Sequence, residues 1–238
     1  MRAWVRLTVL ALATVAMVGC SGPRPLSSVR ASGNELYHDG AYEAAAEEHR
    51  EIVERRPESA IARYEYARAL VGAGRLPEAR EQMVIATHLE PGNETYLDLM
   101  ADTLLAAGSE TDLRLFLERQ ALDRPGWQSE LRRGKYLGRL GDVDEGERLL
   151  RRAAAMNRGV DPEPQLALAV VYGASCDEDA QLERLRMALG ADPRNPEARA
   201  ALRAMGVVPG PTIMLMPEEQ AAGIEVGFST EEAAAGSE

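Results

Sequence analysis

Cysteine, histidine and lysine are scarce in this chain of 238 residues. It has two cysteines, three histidines and a single lysine, Lys135. The histidines, His38, His49 and His88, lack the i, i+4 spacing with which a helix holds a metal ion. Acidic side chains outnumber basic ones by 38 to 27, which gives a formal net charge of −11. This balance argues against binding to nucleic acid and against electrostatic attraction to anionic lipid headgroups.

Motifs typical of enzyme active sites are missing as well. The chain has no glycine-rich phosphate-binding loop, and it offers no Ser–His–Asp or Cys–His arrangement. Asp142, Asp144 and Glu145 follow one predicted turn, but their spacing does not match an EF-hand calcium loop. We therefore predict a protein without catalytic activity, cofactor, metal site or small-molecule substrate.

Residues 1–19 have the composition of an export signal. Arg2 and Arg6 precede an apolar run over residues 7–18, which is too short for a membrane span of about 20 residues. The run ends at Met17-Val18-Gly19-Cys20, which resembles a bacterial lipobox, although Met17 stands where that motif usually has Leu. The resemblance implies cleavage before Cys20, attachment of diacylglycerol to its thiol and, in many such proteins, N-acylation. The alternative is an ordinary secretory signal with an incidental cysteine.

Proline recurs at a fixed period in the rest of the chain. Pro57, Pro91 and Pro125 are 34 residues apart, and Pro193 follows two periods later. A period of about 34 residues that closes on a helix breaker is typical of stacked helix–turn–helix repeats.

Other positions keep the same register. Each repeat has a small residue in its first helix, a large residue three positions later and a turn residue four positions after that. The small residues are Gly33, Ala67, Ala101, Gly134 and Ala169; the large ones are Leu36, Leu70, Leu104, Leu137 and Tyr172; the turn residues are Gly40, Gly74, Gly108, Gly141 and Cys176. Small residues let two helices approach closely, and glycine accepts a positive φ at the turn.

This pattern resembles the tetratricopeptide-repeat (TPR) family, most clearly over residues 33–57 and 67–91. The resemblance implies an all-α fold, an α-solenoid of about five helix–turn–helix repeats with a C-terminal capping helix. A linker over residues 20–25 is predicted after the lipidated cysteine, and a capping helix over residues 194–206. The solenoid between them covers residues 26–193, and its repeats are predicted at 26–59, 60–93, 94–126, 127–161 and 162–193. Later repeats depart from the family pattern, with Cys176 at a turn glycine and Arg158 at a closing proline.

In TPR proteins the first helix of each repeat lines a concave groove, and this resemblance implies which side chains bind a partner. The usual groove positions correspond here to Arg30, Asn34, Tyr37, Tyr64, Arg68, Asp98, Asp102 and Lys135. The strip is basic, then acidic, then basic, with aromatic side chains in its N-terminal half; the alternative is a solvated face with incidental charge. The clamp with which some TPR domains hold a chaperone's C-terminal carboxylate is not matched, because Glu65, Thr95 and Leu99 occupy three of its positions.

Residues 207–238 differ in composition from the repeats. They contain six glutamates and no lysine, arginine or aspartate, and we predict a mostly disordered acidic tail. The apolar segment 212–216 is the exception, since it either docks onto the last repeat or serves as a peptide for a partner.

The sequence thus predicts a lipid-anchored scaffold of the bacterial cell envelope that binds partner proteins or peptides in its groove. The alternatives are a non-catalytic subunit of a membrane-associated enzyme or transport complex, and a peptidoglycan-associated factor. Ser21 after Cys20 favours the periplasmic face of the outer membrane if the cell is Gram-negative.

Overall fold

The computed structural model describes residues 24–220. The predicted signal peptide, Cys20 and residues 221–238 lie outside the described residues. The described part forms eleven α-helices of nine or more residues and contains no strand, so the predicted all-α fold class is confirmed. Within the same range, no helix combines the length and apolar character that crossing a bilayer requires.

The helices follow one another in pairs. The first three pairs are α1 Leu26–His38 with α2 Tyr42–Arg55, α3 Ala60–Gly72 with α4 Leu76–Leu89, and α5 Glu94–Ala106 with α6 Glu110–Asp123. The next are α7 Trp127–Arg139 with α8 Val143–Asn157, and α9 Glu163–Ala174 with α10 Glu178–Ala191. A single helix, α11 Pro196–Ala204, and one 3-10 turn, Pro211–Ile213, complete the order. These elements form two compact units, residues 24–99 and 100–220.

The turn inside each pair is made by a residue in the left-handed region. Glycine holds this position after α1, α3, α5 and α7, with φ between 64° and 96°. In the fifth pair the residue is Cys176, at φ 58°. Glycine adopts this backbone without steric cost, whereas the Cβ of cysteine strains it.

Side-chain caps fix the start of three helices. Ser59, Asp177 and Asn195 precede α3, α10 and α11, and each accepts a hydrogen bond from the backbone N–H three residues on, at 3.3, 3.0 and 2.9 Å. Pro196 follows Asn195 at the first helical position, where its missing N–H costs nothing.

Small residues bring the two helices of a pair into contact, as the repeat pattern predicts. In the unit of residues 100–220, a Cβ added at Gly134 would lie 2.7 Å from Leu150 Cγ, and one added at Gly146 would lie 3.0 Å from the Gly134 carbonyl oxygen. Helices α7 and α8 therefore touch through backbone, and a larger residue at either glycine would separate them.

One core position recurs in every pair, on the second helix. Met83, Leu117, Leu150 and Leu185 occupy it in the second to fifth pairs, and each is at most 2% exposed. In the first pair the same position holds His49, which is fully buried. An imidazole thus replaces an aliphatic side chain at a core site.

The C-terminal residues return to the last helices. The Arg186 guanidinium Nε donates to the Ile213 carbonyl at 2.7 Å, and the Leu215 N–H donates to the Arg186 carbonyl at 3.1 Å. Ile213 and Met214 pack against the buried cluster formed by α10 and α11.

Of the two alternatives for residues 212–216, docking onto the last repeat is the one that these contacts match. Apolar side chains of this stretch cover the apolar face of the last helix pair, which compensates for the entropy lost on ordering. Two acids anchor the following turn, since Glu219 accepts from the buried Gln165 at 3.0 Å and Glu218 lies 3.5 Å from Arg184.

Candidate functional site

Six of the predicted binding residues lie in the N-terminal unit, and three of them, Tyr37, Tyr64 and Arg68, meet in one aromatic cluster. The Arg68 guanidinium carbon lies 4.2 Å from the ring centroid of Tyr37 and 5.8 Å from that of Tyr64. Tyr64 in turn stacks on Tyr96, with centroids 5.0 Å apart and an interplanar angle of 24°. Helices α1, α3 and α5 each contribute a side chain to the cluster.

A fourth residue, Arg30, is held by an acid. Its Nε donates to Glu65 Oε2 at 2.9 Å, and the Glu65 side chain is only 12% exposed. The same carboxylate oxygen is 3.9 Å from Nδ1 of the buried His49. Burial, together with the positive charges of Arg68 and Arg30, lowers the pKa of His49 to about 4, so this imidazole is neutral at physiological pH.

The ion pairs of residues 24–220 do not include Arg68. Its Nε is buried without a hydrogen-bond acceptor, and the Glu65 carboxylate on the same helix is bonded to Arg30 instead. Stacking on Tyr37 stabilises the guanidinium but leaves its charge without an anion. We refer to Arg30, Tyr37, Tyr64, Glu65, Arg68 and Tyr96 as the Arg–Tyr cluster.

Two further predicted residues lie on the helices of this unit without joining the contacts above. Asn34 is half-buried on α1, one turn from Arg30. Asp98 is half-buried on α5 and already has an interaction of its own.

Sequence reasoning missed the roles of Glu65, Tyr96 and His49. Tyr96 is 3% exposed, and its ring stacks on that of Tyr64. This contact joins adjacent repeats, and no spacing rule specifies it. His49 did carry a signal, because every other repeat has Met or Leu at its position. A polar side chain at a core position departs from the rule that the core is apolar, and such departures are expected mainly at functional or strained sites.

The remaining predicted residues, Asp102 and Lys135, belong to the C-terminal unit, and each is neutralised. Asp102 accepts from Arg139 at 3.0 Å, and Lys135 donates to Glu163 at 3.2 Å. The expected strip of alternating charge is therefore a set of exposed ion pairs in this unit, and exposed pairs of this kind contribute little to stability.

A cavity of about 390 Å³ adjoins these pairs. Its walls come from α7, α8, α9 and α11, and its apolar lining includes Leu166, Val170 and Val171. Val170 is 66% exposed, although residues 164–169 of the same helix are all buried. Lys135, Arg139, Glu163 and Glu197 supply the charged lining.

Comparison with known proteins agrees with this architecture. A tetratricopeptide-repeat family model matches residues 36–103. The solved TPR protein TTC0263 of Thermus thermophilus aligns with a TM-score of 0.54 and 22% identity, over 76% of this chain and 98% of that one. Residues 36–103 therefore match the tetratricopeptide-repeat family. The fold of the described residues is the α-solenoid type that the sequence pattern predicts.

Other solved TPR proteins resemble this one more distantly. They include YrrB, described as a TPR protein with an unusual peptide-binding site, at 18% identity, a TM-score of 0.43 and coverage of 74% of this chain and 90% of that one. MamA of Desulfovibrio magneticus RS-1 aligns at 13% identity with a TM-score of 0.48, over 72% of this chain and 97% of that one. No curated protein sequence matches the chain significantly.

TPR repeats are in general non-catalytic scaffolds for protein–protein interaction, and a TPR family model matches residues 36–103 of this chain. In residues 24–220, no group of three His, Cys, Asp or Glu side chains is placed to hold a metal ion. The chemistry that the Arg–Tyr cluster offers is recognition: one uncompensated cation and two partly exposed aromatic rings.

Proposed function

We propose that this TPR protein is a non-catalytic adaptor of the bacterial cell envelope, anchored by lipid at Cys20, which binds a segment of a partner protein on the first helices of its repeats. The observation that carries the binding part is the Arg–Tyr cluster. The Tyr37 and Tyr64 rings are half-buried and are held by Arg68 and Tyr96, so they are already ordered before a partner arrives.

Preordered aromatic and arginine side chains suit a binding surface. Tyrosine and arginine are enriched among the residues that dominate binding energy at protein interfaces. A tyrosine has few rotatable bonds, and stacking has already removed much of its freedom, so binding loses little additional entropy. The ion-paired residues Asp102 and Lys135 must give up existing partners before they can engage a ligand, which makes them weaker candidates.

The anchoring part of the proposal is supported by the sequence around Cys20. An apolar run preceded by two arginines and closed by Val18-Gly19-Cys20-Ser21 is the arrangement that export and thiol lipidation require. Two or more acyl chains give stable membrane attachment, whereas a single chain binds marginally.

Affinity capture from detergent-solubilised membranes tests the binding part. We expect Tyr64→Ala to weaken capture of the partner at least about tenfold, which corresponds to about 1.4 kcal/mol. Val84→Ala is the matched control, because Val84 is 51% exposed on the second helix α4 of the same repeat. Equal recovery with both variants would contradict binding at the cluster. The identity of the captured protein separates an assembly adaptor from a subunit of an enzyme or transport complex.

Cell fractionation with Cys20→Ala tests the anchoring part independently. We expect the variant to leave the membrane fraction and the wild-type protein to carry acyl groups in its intact mass. A variant that stays with the membrane, together with an unmodified wild-type mass, would contradict lipidation and leave the binding proposal standing.

A further inference from the structure

We infer that the partner segment presents an acidic side chain, Asp or Glu, to Arg68, with an apolar or aromatic side chain beside it on the rings of Tyr37 and Tyr64. This inference rests on the proposed function, since it names the chemistry of the ligand at the same cluster.

The charges within the cluster do not cancel. Arg30 and Arg68 contribute two positive charges and Glu65 one negative charge, and the short Arg30–Glu65 contact at 2.9 Å commits that acid to Arg30. His49, His38 and Tyr42 also contact these residues, and none of the three is a carboxylate. The half-buried guanidinium of Arg68, whose Nε has no acceptor, therefore marks a binding position for an anion.

A carboxylate fits this position better than a neutral acceptor. A charge-assisted hydrogen bond from guanidinium to carboxylate is roughly twice as strong as a neutral one, and it is frequently bidentate. The guanidinium carbon of Arg68 lies 4.2 Å from the ring centroid of Tyr37. This contact restricts the guanidinium, so the N–H groups that would donate to two carboxylate oxygens are already oriented.

The chain's net charge of −11 does not prevent this pairing. At physiological ionic strength the Debye length is about 8 Å, so distant surface acids are largely screened while a contact with Arg68 is not. Arg68 is the one cation of the cluster without a bonded acid, so a run of acids would find no second partner there. The ligand is therefore a single acidic residue within an apolar context, rather than an acidic tract.

We assign the carboxylate to a side chain and not to a chain terminus. A terminal carboxylate is held best by several donors at once, and the second cation of the cluster, Arg30, is already bonded to Glu65. The cluster lies on the sides of helices, whose backbone N–H groups are bonded within the helix and offer no further donors.

A defined set of probe peptides tests the inference on the full chain. The probes are acetyl-Phe-Glu-Phe-amide, the same peptide with Gln in place of Glu, and acetyl-Phe-Gln-Phe with a free C-terminal carboxylate. Titrations are followed by isothermal titration calorimetry and, for chains that retain Arg68, also by NMR at its side-chain Nε–H. We expect the Glu peptide to shift this resonance and to bind at least about tenfold more tightly than either Gln peptide.

Two variants complete the experiment. Arg68→Gln should remove the preference for Glu over Gln, whereas Arg56→Gln should retain it, because Arg56 is an exposed arginine of the same unit, 64% accessible and outside the cluster. Circular dichroism checks that both variants keep their helices. Equal affinities of the three peptides for the wild-type chain would overturn the inference, and so would tightest binding of the peptide with the free terminus.

Capture of the natural partner distinguishes failure of this inference from failure of the proposed function. Loss of capture with Tyr64→Ala but full capture with Arg68→Gln would leave the adaptor function standing and overturn the role of the acidic side chain. Full capture with both variants would overturn both.

Discussion

The imidazole of His49 lies directly against Gly33. A Cβ built on Gly33 would be 2.9 Å from both Cε1 and Nε2 of His49, a distance that real Cβ contacts essentially never show. Helix α1 can approach α2 this closely only because residue 33 has no side chain, and a fully buried ring cannot move aside without displacing its neighbours.

Gly33→Ala should therefore destabilise the protein despite the better helix propensity of alanine. Overpacking of a rigid buried ring costs roughly 1–3 kcal/mol, which exceeds the gain of about 1 kcal/mol from replacing glycine within a helix. Thermal or urea unfolding measures the difference. Gly210→Ala is a suitable control, because nothing lies within 4 Å of the added Cβ and its backbone is extended. A Gly33→Ala variant as stable as the wild type would contradict the contact.

His49 should make stability depend on pH. Its folded pKa is about 4 and its ordinary value is 6.5, because burial and the charges of Arg68 and Arg30 disfavour the imidazolium, with a smaller opposing effect from Glu48. Above pH 6.5 both the folded and unfolded states are neutral at this site. As the pH falls from 6.5 towards 4, the unfolded chain takes up the proton first, so stability is lost by an amount on the order of 3 kcal/mol.

The variant His49→Leu isolates this contribution. Leucine is the residue at this position in three of the other repeats, so it fits the register, and it does not titrate. We expect the variant to be more stable than the wild type at pH 5, with the difference shrinking between pH 5 and pH 7.5. Carboxylates such as Glu51 and Glu78, whose pKa values are lowered by arginine partners, titrate in both proteins and cancel in the comparison. If the difference in stability between the two proteins stays constant across this pH range, His49 does not control the pH dependence of stability.

Cys176 is strained at φ 58°, where four other repeats use glycine. Cys176→Gly should raise the free energy of unfolding by about 1 kcal/mol, because glycine has no Cβ to clash in the left-handed region. Cys176→Ala removes the thiol but keeps the Cβ, and it should gain nothing. If alanine stabilises as much as glycine, the thiol and not the backbone is the source of the effect.

The repeat architecture followed from the sequence because it depends on local chemistry. Gly40, Gly74, Gly108 and Gly141 fall where a positive φ is needed, and this requirement can be read from spacing alone. The ion pairs of Asp102 and Lys135 could not be read in this way, since both partners come from other helices. The charge that is left uncompensated, on Arg68, emerges only once the Arg30–Glu65 pair is known.

The C-terminal segment shows a second limit of sequence reasoning. Its acidic composition favours disorder, yet Leu215 lies against Gly190 of α10, where a glycine leaves the space for its carbonyl. The apolar segment 212–216 stands out in the sequence, but a contact between backbone atoms has no side-chain signal, so the sequence does not indicate that Gly190 receives Leu215.

Gly190→Ala should detach this segment. A Cβ at residue 190 would overlap the Leu215 carbonyl, which must move and break the bond from Leu215 N–H to Arg186. We expect faster amide exchange over residues 212–217 and a loss of roughly 1–3 kcal/mol of stability. Unchanged exchange in this segment would show that the packing against α10 does not hold it in place.

Site-specific photocrosslinking in cells shows directly whether the partner binds at the Arg–Tyr cluster. A benzophenone amino acid in place of Tyr64 lies within the Arg–Tyr cluster, whereas the same amino acid at Val84 lies on the second helix of that repeat. We expect position 64 to crosslink one envelope protein and position 84 not to crosslink it. Crosslinking of that protein from position 84 alone would contradict binding at the Arg–Tyr cluster and place the binding surface on the second helices.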